Sequence, residues 1–133
     1  MKKKIKVVGA IMENSHGEIL CALRSPEMSL PNLWEFPGGK VEENENLSEA
    51  IEREIREELG CDVKAIEVFN DNVHEYDKFI VNLITVKCKL TEGTPTPNEH
   101  TALLWLPKEC LNSLVWAPAD VPALEQLMSG KRH

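Results

Sequence analysis

The 133-residue sequence predicts one α/β domain over positions 1–133, with a mixed β-sheet packed between helices. Three observations carry that expectation. Several runs rich in Val, Ile and Leu have strand length, one long amphipathic segment sits near the middle, and a shorter apolar segment closes the chain.

Positions 5–12 and 18–23 are β-rich and joined by Asn14-Ser15-His16-Gly17, a polar turn that predicts a hairpin. The 24–33 segment holds Pro26 and Pro31 and reads as loop. Trp34-Glu35-Phe36 reads as a short extended piece stopped by Pro37-Gly38-Gly39, and 40–45 as polar loop. The spacing then predicts a helix over 47–59, with Asn46 and Glu49 as a capping box and Gly60 as the stop. Strands follow at 62–69 and 78–90, separated by a turn at Asn70-Asp71-Asn72 and a short His74-Glu75-Tyr76 strand. Loop 91–98 carries Gly93, Pro95 and Pro97, and an apolar strand at 101–106 ends at Pro107. Pro118-Ala119-Asp120 introduces a last helix over 121–128 with Asp120 as its cap, and 129–133 reads as a frayed tail.

Composition narrows the function classes. Hydrophobic residues at 42% and charged residues at 28% describe a globular chain. No stretch approaches the roughly 18 apolar residues of a membrane span, and Met1-Lys2-Lys3-Lys4 leads into a strand rather than a secretion signal. A cytoplasmic protein without a membrane partner, monomer or homodimer, is expected. Cys21, Cys61, Cys88 and Cys110 are irregularly spaced beside apolar segments, as reduced, buried thiols are. The formal net charge of -7 opposes nucleic-acid binding and leaves any phosphate site in need of local positive charge.

A glutamate-rich helix is ordinarily a solvated face, and phase decides whether this one is. With Leu47 at zero and about 100° per residue, Ala50, Ile51, Ile55 and Leu59 define the buried stripe. Glu54, Glu57 and Glu58 overlap that stripe, whereas Glu49, Glu52, Arg53 and Arg56 fall on the far side. Crowded, partly desolvated carboxylates need cations, and spacings of three and four residues allow these to share Mg2+, with Mn2+ as the substitute. Gly38-Gly39 lets backbone approach the ions, and Lys40 offsets phosphate charge. The four histidines show no zinc spacing, and neither a phosphate-binding GxxxxGK[ST] loop nor a GxSxG elbow is present.

The run Gly39-Lys40-Val41-Glu42-Glu43-Asn44-Glu45, followed after seven residues by Arg53-Glu54-Ile55-Arg56-Glu57-Glu58-Leu59-Gly60-Cys61, resembles the Nudix box G-x5-E-x7-R-E-U-x-E-E-x-G-U. Cys61 in the last apolar place is its one soft position. The resemblance implies the Nudix α/β/α sandwich with a catalytic loop-helix. It also implies a hydrolase of nucleotides, with Glu54, Glu57, Glu58 and the Gly39 carbonyl as metal ligands and Glu45 and Arg53 as supports. Outside the box, Trp34 to Lys40, Asn98-Glu99-His100, Leu104-Trp105 and the Ala117 to Pro122 run look like the family's MutT branch, its bacterial CTP pyrophosphohydrolases in particular. On that likeness Glu99 is a metal ligand or base, Glu54 the alternative base, and Arg24 a nucleotide contact.

Asp120 stands where the MutT branch has a base-reading asparagine. An ionised aspartate accepts from an amino group but cannot donate, which fits the N4 amine of cytosine or the amino and imino N–H groups of guanine, and a protonated aspartate could donate as well. The expected reaction is therefore Mg2+-dependent hydrolysis of CTP or a modified dCTP to the monophosphate and pyrophosphate, with nucleotide sanitation as its role. Two alternatives stay open: the same chemistry on 8-oxo-dGTP or 2-hydroxy-dATP, and a non-catalytic nucleotide-binding module. Trp34 is expected to stack on the base, with Trp105 and Trp116 as further candidates, while Phe79 is expected in the core and His100 to be structural.

Overall fold

The computed structural model describes residues 2–130. Seven strands form two sheets: β1 (Lys3–Met12), β4 (Gly38–Lys40), β5 (Asp62–Glu75) and β6 (Phe79–Glu92) in the order β4-β1-β6-β5, and β2 (Glu18–Leu23), β3 (Trp34–Glu35) and β7 (Ala102–Pro107) in the order β3-β2-β7. β1 runs parallel to β6 and antiparallel to β4, so the larger sheet is mixed, as expected. Helix α1 (Leu47–Leu59) follows β4, and α2 (Val121–Met128) ends the described chain.

Alternation along β1 explains why helices lie on two faces. Val8, Ala10 and Met12 join Ala50, Ile51, Ile55 and Leu59 of α1 in one core, whereas Ile11 joins Ala123, Leu124 and Leu127 of α2 in the other. α1 has the capping box read from sequence: the Asn46 side chain accepts from the Glu49 N–H at 2.8 Å and the Glu49 carboxylate accepts from the Asn46 N–H at 3.0 Å. Gly60, at φ 65°, ends it by donating to Arg56 O.

Four expectations fail on long-range pairing. Just past β1 the chain pairs with β2 through the Glu13–Ile19 bridge and the Asn14 N–H bond to Glu18 O, but β1 and β2 belong to different sheets, so the Asn14 turn does not close a regular hairpin. β3 ends before Pro37 as read, but Gly38 and Gly39 then resume extended structure, forming β4 against Val8 and Gly9. Asn70-Asp71-Asn72 is no turn either, because β5 continues to Glu75 with register shifts between Ala65 and Glu67 and between Val68 and Asn70. Pro107 is the last residue of β7 rather than a stop outside it. The sequence also missed a 3-10 segment at Lys108–Ser113. Cys21, Cys61 and Cys88 are buried free thiols as read, but Cys110 lies in that segment and is exposed.

Asp120 precedes α2 without capping it by a side-chain hydrogen bond; its carboxylate is used elsewhere. Of the expected frayed tail, Lys131, Arg132 and His133 lie outside the described residues. Among the described residues no helix is long and apolar enough to cross a membrane.

Candidate active site

A cavity of about 420 Å3 is bounded by the 24–30 segment, β3, β4, the β5–β6 connection and the Ala117 to Asp120 turn. Its lining brings together Arg24, Gly39, Lys40, Glu58 and Asp120, five of the residues singled out from sequence. A larger concavity of about 810 Å3 between β5, β6 and α2 contains none of them and no part of the carboxylate cluster. The smaller cavity is the one with the chemistry.

Close backbone contact fixes β4 beside α1. A side chain at Gly38 would collide with the Val8 carbonyl oxygen, and one at Gly39 with the Glu54 carboxylate. The two glycines therefore bring main chain against the acidic face of the helix. Arg53 locks the loop that follows: it bonds Glu45 at 2.6 and 2.9 Å, Glu54 at 2.7 Å, Glu57 at 3.1 Å and Lys40 O at 3.1 Å. Its hydrogen bond pulls the Glu45 carboxyl down to about 2. Helical phase placed Arg53 on the wrong side because phase locates Cβ, and a long guanidinium side chain reaches past it.

The carboxylates differ. Glu54 is 13% exposed at its side chain, and burial raises its pKa against the opposing pull of Arg53. Glu58 is pushed up to about 8, first by burial and then by the charges of Glu54, Glu35 and Glu99, while the Gly38 N–H draws it down. Its Oε1 is buried with no hydrogen-bond partner. Glu57 departs from the sequence reading: its side chain is 57% exposed and is paired to Arg53 instead of facing the body. Glu99 lies exposed on the loop before β7, near enough for its charge to raise both Glu54 and Glu58.

An orphaned carboxylate oxygen among mutually repelling carboxylates is the surrounding a hard cation relieves, and the donors are oxygens throughout, which suits Mg2+ or Mn2+ better than zinc. Among the described residues, no group of three His, Cys, Asp or Glu side chains is already gathered around one metal position. The residues fit the ion by donor chemistry and by electrostatic need, with closure left to the ion itself.

Asp120 is buried, and its Oδ2 accepts from the Phe36 N–H at 2.9 Å. Burial first, and the Glu35 charge second, raise its carboxyl well above the usual aspartate range. The turn that carries it is held from β5: Ala119 N donates to the Tyr76 hydroxyl at 3.0 Å and Asn72 donates to Ala119 O at 3.0 Å. Sequence reasoning missed both supports by reading Asn72 as a turn and Tyr76 as part of a separate short strand, whereas β5 runs unbroken to Glu75.

Arg24 lines the cavity with its guanidinium already engaged: Nη1 donates to Glu35 at 2.7 Å, Nε to Ser29 O at 2.7 Å and Nη2 to Ser29 Oγ at 3.2 Å. Glu35, unremarked from sequence, also meets His100 Nε2 at 2.8 Å. Trp34 is not part of the lining; it packs with the α2 core and pairs by backbone with Trp116. Trp105 packs on the α1 core, and Trp116 is buried against Phe36 at 4.8 Å between ring centroids. The aromatic lining is instead Phe36, Tyr76 and Phe79, and Phe79, expected in the core, is half-buried at the cavity.

An α/β fold that sets a glycine-rich strand and a glutamate-bearing helix beside a nucleotide-sized cavity defines a pyrophosphohydrolase scaffold. The NUDIX domain family model matches residues 3–127, and the chain belongs to that family of hydrolases. It is 39% identical over 127 residues to the CTP pyrophosphohydrolase of Escherichia coli K12, covering 96% of this chain and 93% of that protein. It is 29% identical to the 8-oxo-dGTP diphosphatase of the same organism, covering 94% and 97%, and relatives from Haemophilus influenzae and Buchnera aphidicola carry that second name too. A solution structure of a MutT protein of the Nudix hydrolase family from methicillin-resistant Staphylococcus aureus 252 is 50% identical, with a TM-score of 0.79, covering 98% of this chain and 100% of that one. The chain is thus an enzyme, a nucleoside triphosphate pyrophosphohydrolase of Nudix type.

Proposed function

We propose that the enzyme hydrolyses oxidised purine nucleoside triphosphates of the 8-oxo-dGTP kind to the monophosphate and pyrophosphate with Mg2+. The observation that carries the base preference is Asp120. Its Oδ2 accepts from the Phe36 N–H, and burial raises its carboxyl well above the usual aspartate range, which favours a protonated Oδ1 able to donate. A neutral carboxyl donates to a keto oxygen, which the ionised form could not do. That reverses the reasoning that led from aspartate to cytosine, and the relatives named 8-oxo-dGTP diphosphatase agree with the reversal.

Glu54, Glu57, Glu58 and the Gly39 carbonyl are the proposed Mg2+ ligands, joined by Glu99, with Mn2+ as a substitute. Bound there, the ion neutralises polyphosphate charge and acidifies a water. Glu54 or Glu99 takes the proton from the attacking water. Lys40 faces the phosphates, and Arg24, with two N–H groups beyond those given to Glu35 and Ser29, can reach them. Phe36, Tyr76 and Phe79 enclose the base.

Initial rates of pyrophosphate release with Mg2+ from 8-oxo-dGTP, 2-hydroxy-dATP, CTP and 5-methyl-dCTP test the reading. It requires the highest kcat/KM on an oxidised purine. The second reading, CTP, is favoured by the 39% identity to the E. coli CTP pyrophosphohydrolase, and a cytosine nucleotide leading the panel would establish it. Silence on every triphosphate would leave a binding module.

A further inference from the structure

The loop before β7 brings the Glu99 charge close to Glu54 and Glu58 of α1, although among the described residues Glu99 has no side-chain hydrogen bond or ion pair, so its neighbours must hold it. On one side the loop is tied to the end of α1: Thr96 N and its hydroxyl both donate to Leu59 O, at 2.9 and 3.1 Å, and Asn98 N donates to Glu58 O at 3.3 Å. On the other side Thr101 N donates to Leu23 O at 2.9 Å, where β7 joins β2. Between these ties the one polar side-chain anchor is His100. Its side chain is 1% exposed, and its Nε2 lies 2.8 Å from Glu35 Oε2 in the wall of the cavity.

His100 is a poor core filler. Its Nδ1 is buried with no hydrogen-bond partner, so half of its polar capacity is desolvated for nothing. An apolar side chain of the same volume would fill the space without that cost. What the imidazole adds over such a residue is the single bond to Glu35, and through Glu35, which also takes Arg24 Nη1 at 2.7 Å, a link to the cavity wall.

We propose that His100 is a positioning residue: by anchoring to Glu35 it fixes the loop so that Glu99 stands beside Glu54 and Glu58 for metal binding and catalysis. The inference rests on the reading of Glu99 as a metal ligand. Groups that orient a ligand in this way are worth about 10- to 100-fold in metal affinity or activity when removed.

The test compares wild type, Glu99→Gln, His100→Phe and His100→Gln, each checked for fold by circular dichroism and thermal melt. Mn2+ is titrated into nucleotide-free protein and read by electron paramagnetic resonance, and kcat and KM are measured separately with Mg2+. His100→Phe is expected to weaken Mn2+ binding toward the level of Glu99→Gln and to lower kcat about 10-fold or more, with KM within about 2-fold. His100→Gln, which keeps an N–H donor and fills less space, is expected to recover most of both. If Glu99→Gln weakens Mn2+ binding but His100→Phe matches wild type, the anchoring role is overturned. Equal losses in His100→Phe and His100→Gln would likewise overturn it, because packing alone would then account for the residue. Glu99→Gln binding Mn2+ as wild type does would instead remove the reading of Glu99, and this inference with it.

Discussion

Glu58→Gln should make the metal-free protein more stable while abolishing its activity. Burial and the neighbouring carboxylates push Glu58 from its ordinary value of 4.5 up to about 8. Between those limits the folded chain keeps a proton that the unfolded chain has lost, so stability falls as pH rises through that window and levels off above it. Each pH unit costs about 1.36 kcal/mol, giving a ceiling of about 4 kcal/mol at pH 7.5 and under 1 kcal/mol at pH 5. Glutamine carries no such cost, but its amide must also leave water, so roughly half the ceiling, about 2 kcal/mol, should be recovered. For a domain of this size that is on the order of 8 °C in Tm. Thermal melts of both proteins in EDTA at pH 5 and pH 7.5 make the comparison. A clear gain at pH 7.5 that shrinks at pH 5 is expected, and Mg2+ should stabilise wild type more than the variant. A gain of equal size at both pH values, or a loss at pH 7.5, would refute the account of Glu58 as a carboxyl strained by its surroundings.

Arg53→Ala should lower the urea midpoint, because it leaves Glu45 and Glu54 without their shared cation; Arg53→Lys should recover little, since one ammonium cannot replace the forked contacts to both. Gly38→Ala drives a methyl group into the Val8 carbonyl oxygen, so β4 must move away from β1; little folded protein at 37 °C, or a large drop in Tm, is expected by circular dichroism. Asp120→Asn keeps a donor and should hold 8-oxo-dGTP turnover within a few-fold, whereas Asp120→Leu should lose about 10-fold or more in kcat/KM; equal losses would argue against a hydrogen bond from this residue to the base.

What the sequence made legible was local. The Leu47–Leu59 helix came out with its bounds and both caps, because capping and a 3.6-residue period depend on neighbours within a turn or two. The glutamate spacing of the box pointed to α1 for the same reason, whereas β4 was not expected. The partition of strands did not come through: β1 pairs with β6 across some seventy residues, and nothing near the Asn14 turn reveals that β2 belongs to a different sheet. The polar Asn70-Asp71-Asn72 run resembles a turn, yet register shifts and pairing to β6 carry the strand through it. Side-chain reach was equally hidden, which is why Arg53 was placed too far from the cluster and Glu57 too deep in it. The base preference was not legible because it depends on environment: Asp120 is bonded to Phe36, 84 residues away, and its burial bears on which hydrogen bonds its carboxyl can make.

The same environment resolves an apparent conflict of charge. A chain of formal net charge -7 should repel a polyphosphate, and the cavity adds Glu35, Glu58 and Asp120 to its lining. Formal charge overstates the repulsion there, because burial and the shared charge of Glu35 favour the protonated forms of both Glu58 and Asp120. The two carboxyls then serve opposite ends. On the proposed reading, Asp120 in its protonated form would donate to the base, while a cation binding at Glu58 would displace the proton there and take over its neutralising role. Metal uptake at neutral pH should therefore release close to one proton per Glu58, a quantity that calorimetry in buffers of different ionisation enthalpy measures directly. Glu58→Gln should abolish that release, and an unchanged release in the variant would locate the proton on another carboxyl.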